Sequence, residues 1–97
     1  MKVNTTAFRF DWDAGNSGKN IKHGVEDWEC EEVFFDQRKV ILSDKVHSLA
    51  EDRHILIGKT KHERLLFIAF TIRRGRVRII SARDINIKEK YLYEKVT

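Results

Sequence analysis

The sequence predicts a small α+β domain in which helices pack on an antiparallel sheet of about four strands. Residues 8–12 alternate apolar and polar side chains, as a half-buried strand does, and residues 26–35 place apolar side chains at helical spacing. After residue 38, short apolar runs follow one another closely, and strands joined by short connections pair with their neighbours. At 97 residues the chain is predicted to form one domain.

The first half of the chain is predicted to hold one strand and two helices. Residues 8–12 form the strand, and Asp13 is predicted to cap a helix that runs to about His23 and ends at Gly24. The second helix is predicted over residues 26–35, where acidic residues of the first turn suit the helix dipole.

The second half is predicted to be mostly sheet. Strands are expected at residues 40–42, 55–58, 65–72 and 77–82. Gly75 permits the positive φ of a tight hairpin turn between the last two. Asn86 and Glu89 resemble a capping box for a final helix over residues 87–95. The predicted order is β-α-α-β-β-β-α, with the helices on one face of the sheet.

Strict alternation along the last strand predicts which side chains share a face. Residues 76, 78, 80 and 82 should lie on one face of the sheet, and residues 77, 79, 81 and 83 on the other.

Charge is distributed unevenly along the chain. Residues 1–52 hold 7 Lys and Arg against 11 Asp and Glu, a net charge of −4, whereas residues 53–97 hold 12 against 4, a net charge of +8. A basic half suggests a phosphate backbone as partner, and the acidic half could face a basic protein. The alternative is that both halves carry ordinary solvated surface charge.

Cys30 is the one cysteine, so an intrachain disulfide is impossible. No apolar segment has the character of a leader or the length of a membrane span. These features predict a cytoplasmic protein that does not associate with membranes.

The late strands carry the residue types needed to cleave RNA without a metal. That chemistry needs a base for the 2′-hydroxyl, positive charge at the phosphate and an acid for the leaving oxygen. Arginine suits phosphate because its planar fork donates two parallel hydrogen bonds. The candidate arginines are Arg53, Arg73, Arg78 and Arg83, and their pattern fits either a shared site or solvated sheet edges. For Arg76, beside the hairpin turn, solvation of the edge is the favoured interpretation.

Histidines offer acid and base candidates. His47 lies in a polar loop, where functional groups are common, whereas His23 at a helix end suits a structural cap. No spacing typical of metal ligands occurs, so no metal and no cofactor are predicted.

Among the aromatic residues, Tyr91 is predicted to face the core from the last helix, and Tyr93 is predicted to be free for a site or a partner. Trp12 and Trp28 are predicted to anchor the core.

Three motifs in this order carry a family resemblance. They are W-D-x-G-N-x-x-K-x-x-K-H-G-V from Trp12, D-x-x-H-S-x-x-E-x-R from Asp44, and R-I-I-S-A-R-x5-E-x3-Y from residue 78. With this order and spacing the chain resembles the BrnT family, the toxin half of BrnT–BrnA toxin–antitoxin modules, from about Phe8 to Glu94.

The resemblance implies a RelE-like fold and an RNA-cleaving activity that halts translation. It also implies a ribbon-helix-helix antitoxin, BrnA, whose dimer binds and neutralises two toxin chains in a heterotetramer. The complex would repress its own promoter, with operator DNA contacted only through the antitoxin.

The resemblance also points to site residues. Those that match the motifs are Lys22, His23, His47, Arg53, Arg78, Arg83 and Tyr93, with Arg73 at a position that is commonly basic. Arg53 and Arg83 are hypothesised to clamp the scissile phosphate, with Arg78 or Arg73 contributing.

The remaining roles stay open. His47 or His23 is hypothesised as base or acid, with Tyr93 as the alternative. Lys22 and Arg76 are hypothesised to bind RNA along with Arg73 and Arg78. The competing hypothesis is a non-catalytic module that grips RNA or antitoxin, such as an inactive toxin that acts as a co-repressor.

Overall fold

The computed structural model describes residues 8–46 and 51–95 of the chain. Its helices are α1 (Asp27–Glu32) and α2 (Ile87–Lys95), and its strands are β1 (Val40–Ser43), β2 (Arg53–Lys59), β3 (Leu65–Arg73) and β4 (Arg76–Asp84). Short 3-10 turns cover Ile21–His23 and Val33–Phe35. No helix within the described ranges is long and apolar enough to cross a membrane.

The four strands form one antiparallel sheet in the order β1-β2-β3-β4, which confirms the predicted meander and the α+β class. The two residues between β3 and β4, Arg74 and Gly75, have φ of 54° and 77°. Positive φ at both positions is typical of the tight turn that matches strand twist. The four strands after α1 lie at the four expected ranges, although the predicted order β-α-α-β-β-β-α counted three of them.

The N-terminal part of the chain differs from the prediction. Instead of a strand, residues 8–12 form an isolated parallel bridge between Phe10 and Val77. Instead of a helix, residues 14–20 form turns, followed by the 3-10 turn that ends at Gly24 with φ 71°. Gly18 has φ 70°, which an α-helix cannot accommodate. The glycines of this segment give it a weak helix propensity, which explains why the predicted helix does not form.

The main core lies between one face of the sheet and the N-terminal segments. Phe34 is fully buried, and its ring packs edge-on against Phe8 and Phe70 with centroids 5.1 Å apart in each case. Trp12 donates its indole N–H to Glu31 Oε2 at 2.7 Å, which ties the N-terminal segment to α1. These contacts hold residues 8–16 along the β4 edge of the sheet.

Helix α2 packs on the opposite face, so the prediction of helices on one face is wrong. Its contact residue Tyr93 forms a second cluster with Ile55, Ile57 and Ala69, which alternate with the side chains of the main core. Tyr93 is 6% exposed and Tyr91 is 69% exposed, the reverse of the prediction. Asn86 and Glu89 form the predicted capping box, with both hydrogen bonds at 2.9 Å.

A β-bulge shifts the alternation along β4. Ala69 pairs with Ser81 but its neighbour Phe70 pairs with Ile79, so Ile80 is the extra residue. Ala82 therefore joins Val77 and Ile79 in the main core, not the face predicted by strict alternation.

The two tryptophans and the cysteine differ in burial. Trp28 is 51% exposed, so it does not anchor the core as predicted, whereas Trp12 packs against it. Cys30 is fully buried, and burial raises the pKa of its thiol to about 12, so the thiol is protonated at neutral pH.

Candidate active site

Arginines from neighbouring strands meet on the face of the sheet that carries α2, but beyond the end of that helix. Arg53 of β2 pairs in register with Thr71 of β3, and Thr71 pairs with Arg78 of β4. Residues paired across a sheet project to the same face, so the three side chains form a row. Arg73 lies two residues beyond Thr71 on the same face.

This row forms the floor of a hollow of about 250 Å³. Its lining residues are Gly15, Asn16, Glu51, Arg53, Thr71, Arg73, Arg78, Ile79 and Ile80. The concavity thus gathers three arginines, one from each of three adjacent strands. It is large enough for a phosphodiester group.

Asp13 holds Arg78 at one wall of the hollow. The two Nη atoms of Arg78 donate to the two carboxylate oxygens of Asp13 at 3.0 Å each, and Asp11 lies 3.6 Å away as a second counter-charge. Hydrogen bonding to Asp13 raises the pKa of Arg78, so the guanidinium stays charged. Gly15 sits so close that a Cβ there would lie 3.0 Å from Arg78 Nη2.

Asn16 fixes the loop that carries Asp13. Its side-chain amide donates to the carbonyls of Asp11 and Ile79, at 2.9 and 3.2 Å, and its oxygen accepts from the Asp13 N–H at 2.8 Å. The side chain is 5% exposed, so these bonds are sheltered from water. The buried amide therefore replaces a neighbouring strand at this part of the β4 edge.

Glu51 supplies the second carboxylate of the hollow. Its Oε1 accepts a hydrogen bond from Arg73 Nη2 at 3.1 Å. Arg76, which pairs in register with Arg73 across the hairpin, is exposed at the rim and does not line the hollow.

Arg83 lies apart from the other candidate arginines. It pairs with Phe67, four residues along β3 from Thr71, or about 13 Å at strand rise. Its guanidinium lies 4.1 Å from the Phe67 ring centroid and donates to both carboxylate oxygens of Glu89 at 2.8 and 2.9 Å. The structure therefore does not bring Arg83 to Arg53, and the hypothesised clamp by this pair lacks the required geometry.

Tyr93 also lies outside the hollow. Its hydroxyl donates to Asp36 Oδ2 at 2.7 Å, and burial together with this bond raises its pKa to about 12. The expectation that this side chain is free for a site is wrong, because α2 packs against the sheet through it.

The remaining candidates divide between an exposed turn and a segment outside the described residues. His23 and Lys22 are exposed next to Gly24, whose carbonyl accepts a bond from Arg64 at 2.8 Å. Arg64 precedes Thr71 by seven residues, or about 24 Å of strand. His23 and Lys22 therefore lie at the end of the sheet away from the hollow. His47 lies outside the described residues.

Three lining residues stand in the sequence motifs but had no predicted role in the site. Gly15 and Asn16 belong to the first motif, and Glu51 belongs to the second. Asp13, which holds Arg78, is also in the first motif and was predicted only as a helix cap. These residues stand in the same motifs as the basic candidates, which is the sequence signal that could have placed them in the site. Within residues 8–46 and 51–95, no three carboxylate, imidazole or thiol side chains are grouped as metal ligands would be.

The sequence of this chain matches a known protein family. Residues 12–89 match the family described as the ribonuclease toxin BrnT of type II toxin–antitoxin systems. The chain belongs to the BrnT family. The match includes the turn-rich segment around Asp13, all four strands and the start of α2, and therefore every residue that lines the hollow. A comparison with curated proteins gives no match.

Proposed function

We propose that this BrnT-family chain is a metal-independent endoribonuclease whose active site is the hollow between β2, β3 and β4. The observation that carries the proposal is the convergence of Arg53, Arg73 and Arg78 on one concavity. The family is one of ribonuclease toxins, which supplies the class of reaction. The arrangement supplies what RNA cleavage needs most, positive charge where negative charge develops on the phosphate.

The arginines of the hollow supply hydrogen-bond donors suited to an anionic ligand. Arg53, Arg73 and Arg78 line it, with Asp11 and Asp13 beside Arg78 and Glu51 beside Arg73. Because arginine donates through a planar fork, one phosphodiester can take hydrogen bonds from more than one wall. Cleavage would follow attack of the RNA 2′-hydroxyl on the adjacent phosphorus, and loss of intact RNA would halt translation.

The experiment is cleavage of a defined single-stranded RNA by purified toxin in the presence of EDTA. We expect products with 2′,3′-cyclic phosphate and 5′-hydroxyl ends. Arg53→Ala, Arg73→Ala and Arg78→Ala should each slow cleavage by about 100-fold, the size typical for loss of an electrostatic contact to the transition state. Arg38→Ala removes an exposed arginine from the turn before β1 and serves as the matched control.

Circular dichroism and thermal unfolding must show that each variant is folded. Wild-type protein that binds this RNA without shortening it would contradict the ribonuclease proposal and favour the non-catalytic binding module. Unchanged cleavage by all three hollow variants would place the chemistry elsewhere.

A type II system pairs its toxin with a protein antitoxin, so family membership gives this chain a protein partner. We propose that the partner is a ribbon-helix-helix protein of the BrnA kind, and that its dimer joins two toxin chains in a heterotetramer. The complex would bind operator DNA through the antitoxin alone.

Light scattering on the co-purified complex tests the stoichiometry. A mobility shift with operator DNA tests whether the antitoxin alone contacts the DNA. We expect a two-to-two complex that shifts the DNA and toxin alone that does not. A one-to-one mass, or a shift by toxin alone, would contradict this arrangement.

A further inference from the structure

The hollow contains an acid–base group that the sequence hypotheses did not use. Glu51 lies in its wall two residues before the start of β2, and its side chain is 42% exposed, open to a ligand that enters the concavity. The 3.1 Å hydrogen bond from Arg73 holds one carboxylate oxygen beside the guanidinium groups. A phosphate bound by Arg73 would therefore lie next to this carboxylate.

Chemistry reduces the possible bases among the described lining residues. Arginine does not give up its proton in proteins, and an amide such as that of Asn16 does not accept one. The Thr71 hydroxyl is 1% exposed and donates to the Asp52 carbonyl at 2.7 Å. Of the lining residues, this leaves Glu51 as the group able to take a proton from a substrate hydroxyl.

Asp13, at the opposite wall, is engaged differently. Both of its carboxylate oxygens accept from the Arg78 fork, and Oδ1 also accepts from the Gly15 N–H at 2.8 Å. Proton transfer to Asp13 would break a bidentate ion pair. Glu51 has a single-point bond from Arg73 through Oε1, so its geometry allows a second oxygen to face substrate.

We propose that Glu51 is the general base of RNA cleavage, an assignment that depends on the function proposed above. Its carboxylate takes the proton of the 2′-hydroxyl as O2′ forms a bond to phosphorus. The bond from phosphorus to the 5′ oxygen breaks, and that oxygen leaves with a proton from water. The products are a 2′,3′-cyclic phosphate and a 5′-hydroxyl, and Glu51 then releases its proton to solvent.

Substitution of the carboxylate by its amide tests the assignment. The charged residues that line the hollow together with Glu51 are Arg53, Arg73 and Arg78, the last paired with Asp13 and Asp11. Arginine keeps its proton in proteins, so the fall of kcat/KM at low pH, the acid limb of the pH profile, should report protonation of the base. Glu51→Gln should lower kcat by about 100-fold or more, within the range of general-base catalysis, and should remove that limb.

Two further variants separate catalysis from structure. Glu51→Ala should regain cleavage when formate is added, because a small carboxylate can occupy the space and take the proton. Glu63→Gln, in the exposed turn at the other end of the sheet, is the matched control and should cleave like wild type.

The outcomes distinguish the two proposals. If wild-type protein fails to cleave RNA, the proposed function itself fails. If wild type cleaves and Glu51→Gln either cleaves within threefold of it or loses activity while keeping the acid limb, the ribonuclease stands and Glu51 is not its base. Loss of the limb together with formate rescue supports the assignment.

Discussion

Arg78 and Asp13 form a two-point ion pair across 65 positions of sequence, with both nitrogen–oxygen distances at 3.0 Å. The hydrogen bonds from Arg78 lower the pKa of Asp13 below its ordinary value of 3.8, so the pair persists at any pH where the protein would act. The nitrogens engaged are those that would grip a phosphate in a two-point contact. In the proposed function, Asp13 and an RNA phosphate would compete for this edge of Arg78.

This competition predicts that Asp13→Asn binds RNA more tightly than wild type. Removal of one negative charge at contact distance in solvent should lower Kd by roughly fivefold. Fluorescence anisotropy with an RNA that carries 2′-deoxy sugars measures binding without cleavage. Asp84→Asn is the matched control, because Asp84 also accepts from an arginine, Arg64, at 2.8 Å but lies far from the hollow. Weaker binding by Asp13→Asn would show that Asp13 orients Arg78 for RNA instead of competing with it.

The lowered pKa of Glu89 predicts that the protein loses stability in acid. Burial alone would raise its pKa, but hydrogen bonds from Arg83 and from the Asn86 N–H hold it below the ordinary value of 4.5. A lowered pKa in the folded state contributes stability above pH 4.5 that is lost as the pH falls through the folded value. Glu89→Gln should lower the free energy of unfolding at pH 7 by about 1 kcal/mol, since Arg83 is partly solvated.

Urea unfolding from pH 7 down to pH 3 measures this effect. The difference between wild type and Glu89→Gln should shrink as the pH falls. A constant difference over this range would mean that the carboxylate charge of Glu89 does not contribute.

Arg83→Ala should separate stability from catalysis. Its guanidinium contacts Glu89 and Phe67 under α2, not the hollow, so RNA cleavage should remain within about threefold of wild type while stability falls by about 1 kcal/mol. Paired cleavage and unfolding assays measure both. A 100-fold loss of cleavage with unchanged stability would restore Arg83 as a phosphate ligand.

The raised pKa of Tyr93 predicts that the protein loses stability in alkali. Burial and the bond to Asp36 raise its pKa from 10.0 to about 12, so its stabilising effect is complete below pH 10 and is lost as the pH rises to about 12. Tyr93→Phe should cost about 1 kcal/mol at neutral pH through the lost hydrogen bond and should reduce the alkaline decline. Unfolding followed from pH 8 to pH 12 tests this. RNA cleavage by the folded variant should match wild type, and its loss would indicate a catalytic tyrosine.

Gly58 lies where β2 closely approaches the turn after α1. A Cβ there would lie 2.9 Å from the Val33 carbonyl oxygen and 2.9 Å from Leu56 Cδ2. Because backbone must move to admit the methyl group, Gly58→Ala should cost about 1–3 kcal/mol. Ser43→Ala, at an exposed position of β1, is the control. Equal thermal unfolding temperatures for the two variants would contradict the close approach.

Local chemistry was enough to predict much of the fold. The late strands and the hairpin follow from short apolar runs and from Gly75, and α2 begins at the predicted Asn86–Glu89 box. The failures occurred where local signals were weak or misleading. Residues 13–23 contain two glycines, and Gly18 adopts positive φ there. In α2, apolar Ile87 and Tyr91 suggested the wrong buried face.

The buried face of α2 could not be predicted because hydrogen bonds to distant residues help to hold it. Glu89 and Tyr93 face the sheet, where they find Arg83 and Asp36 as hydrogen-bond partners. A charged residue that is buried with its partner gives no periodic apolar signal. The partners are far apart in sequence, so only the folded chain reveals the match.

The sequence by itself determined the basic strands, the α+β class and the identity of Arg53, Arg73 and Arg78 as candidates. Tertiary structure alone decided which candidates meet. The strand registers align these three around Thr71, whereas Arg83 of β4 pairs with Phe67, four residues from Thr71 along β3, on the part of the face that α2 covers. Register and helix docking depend on contacts between distant parts of the chain, and a linear pattern does not contain them.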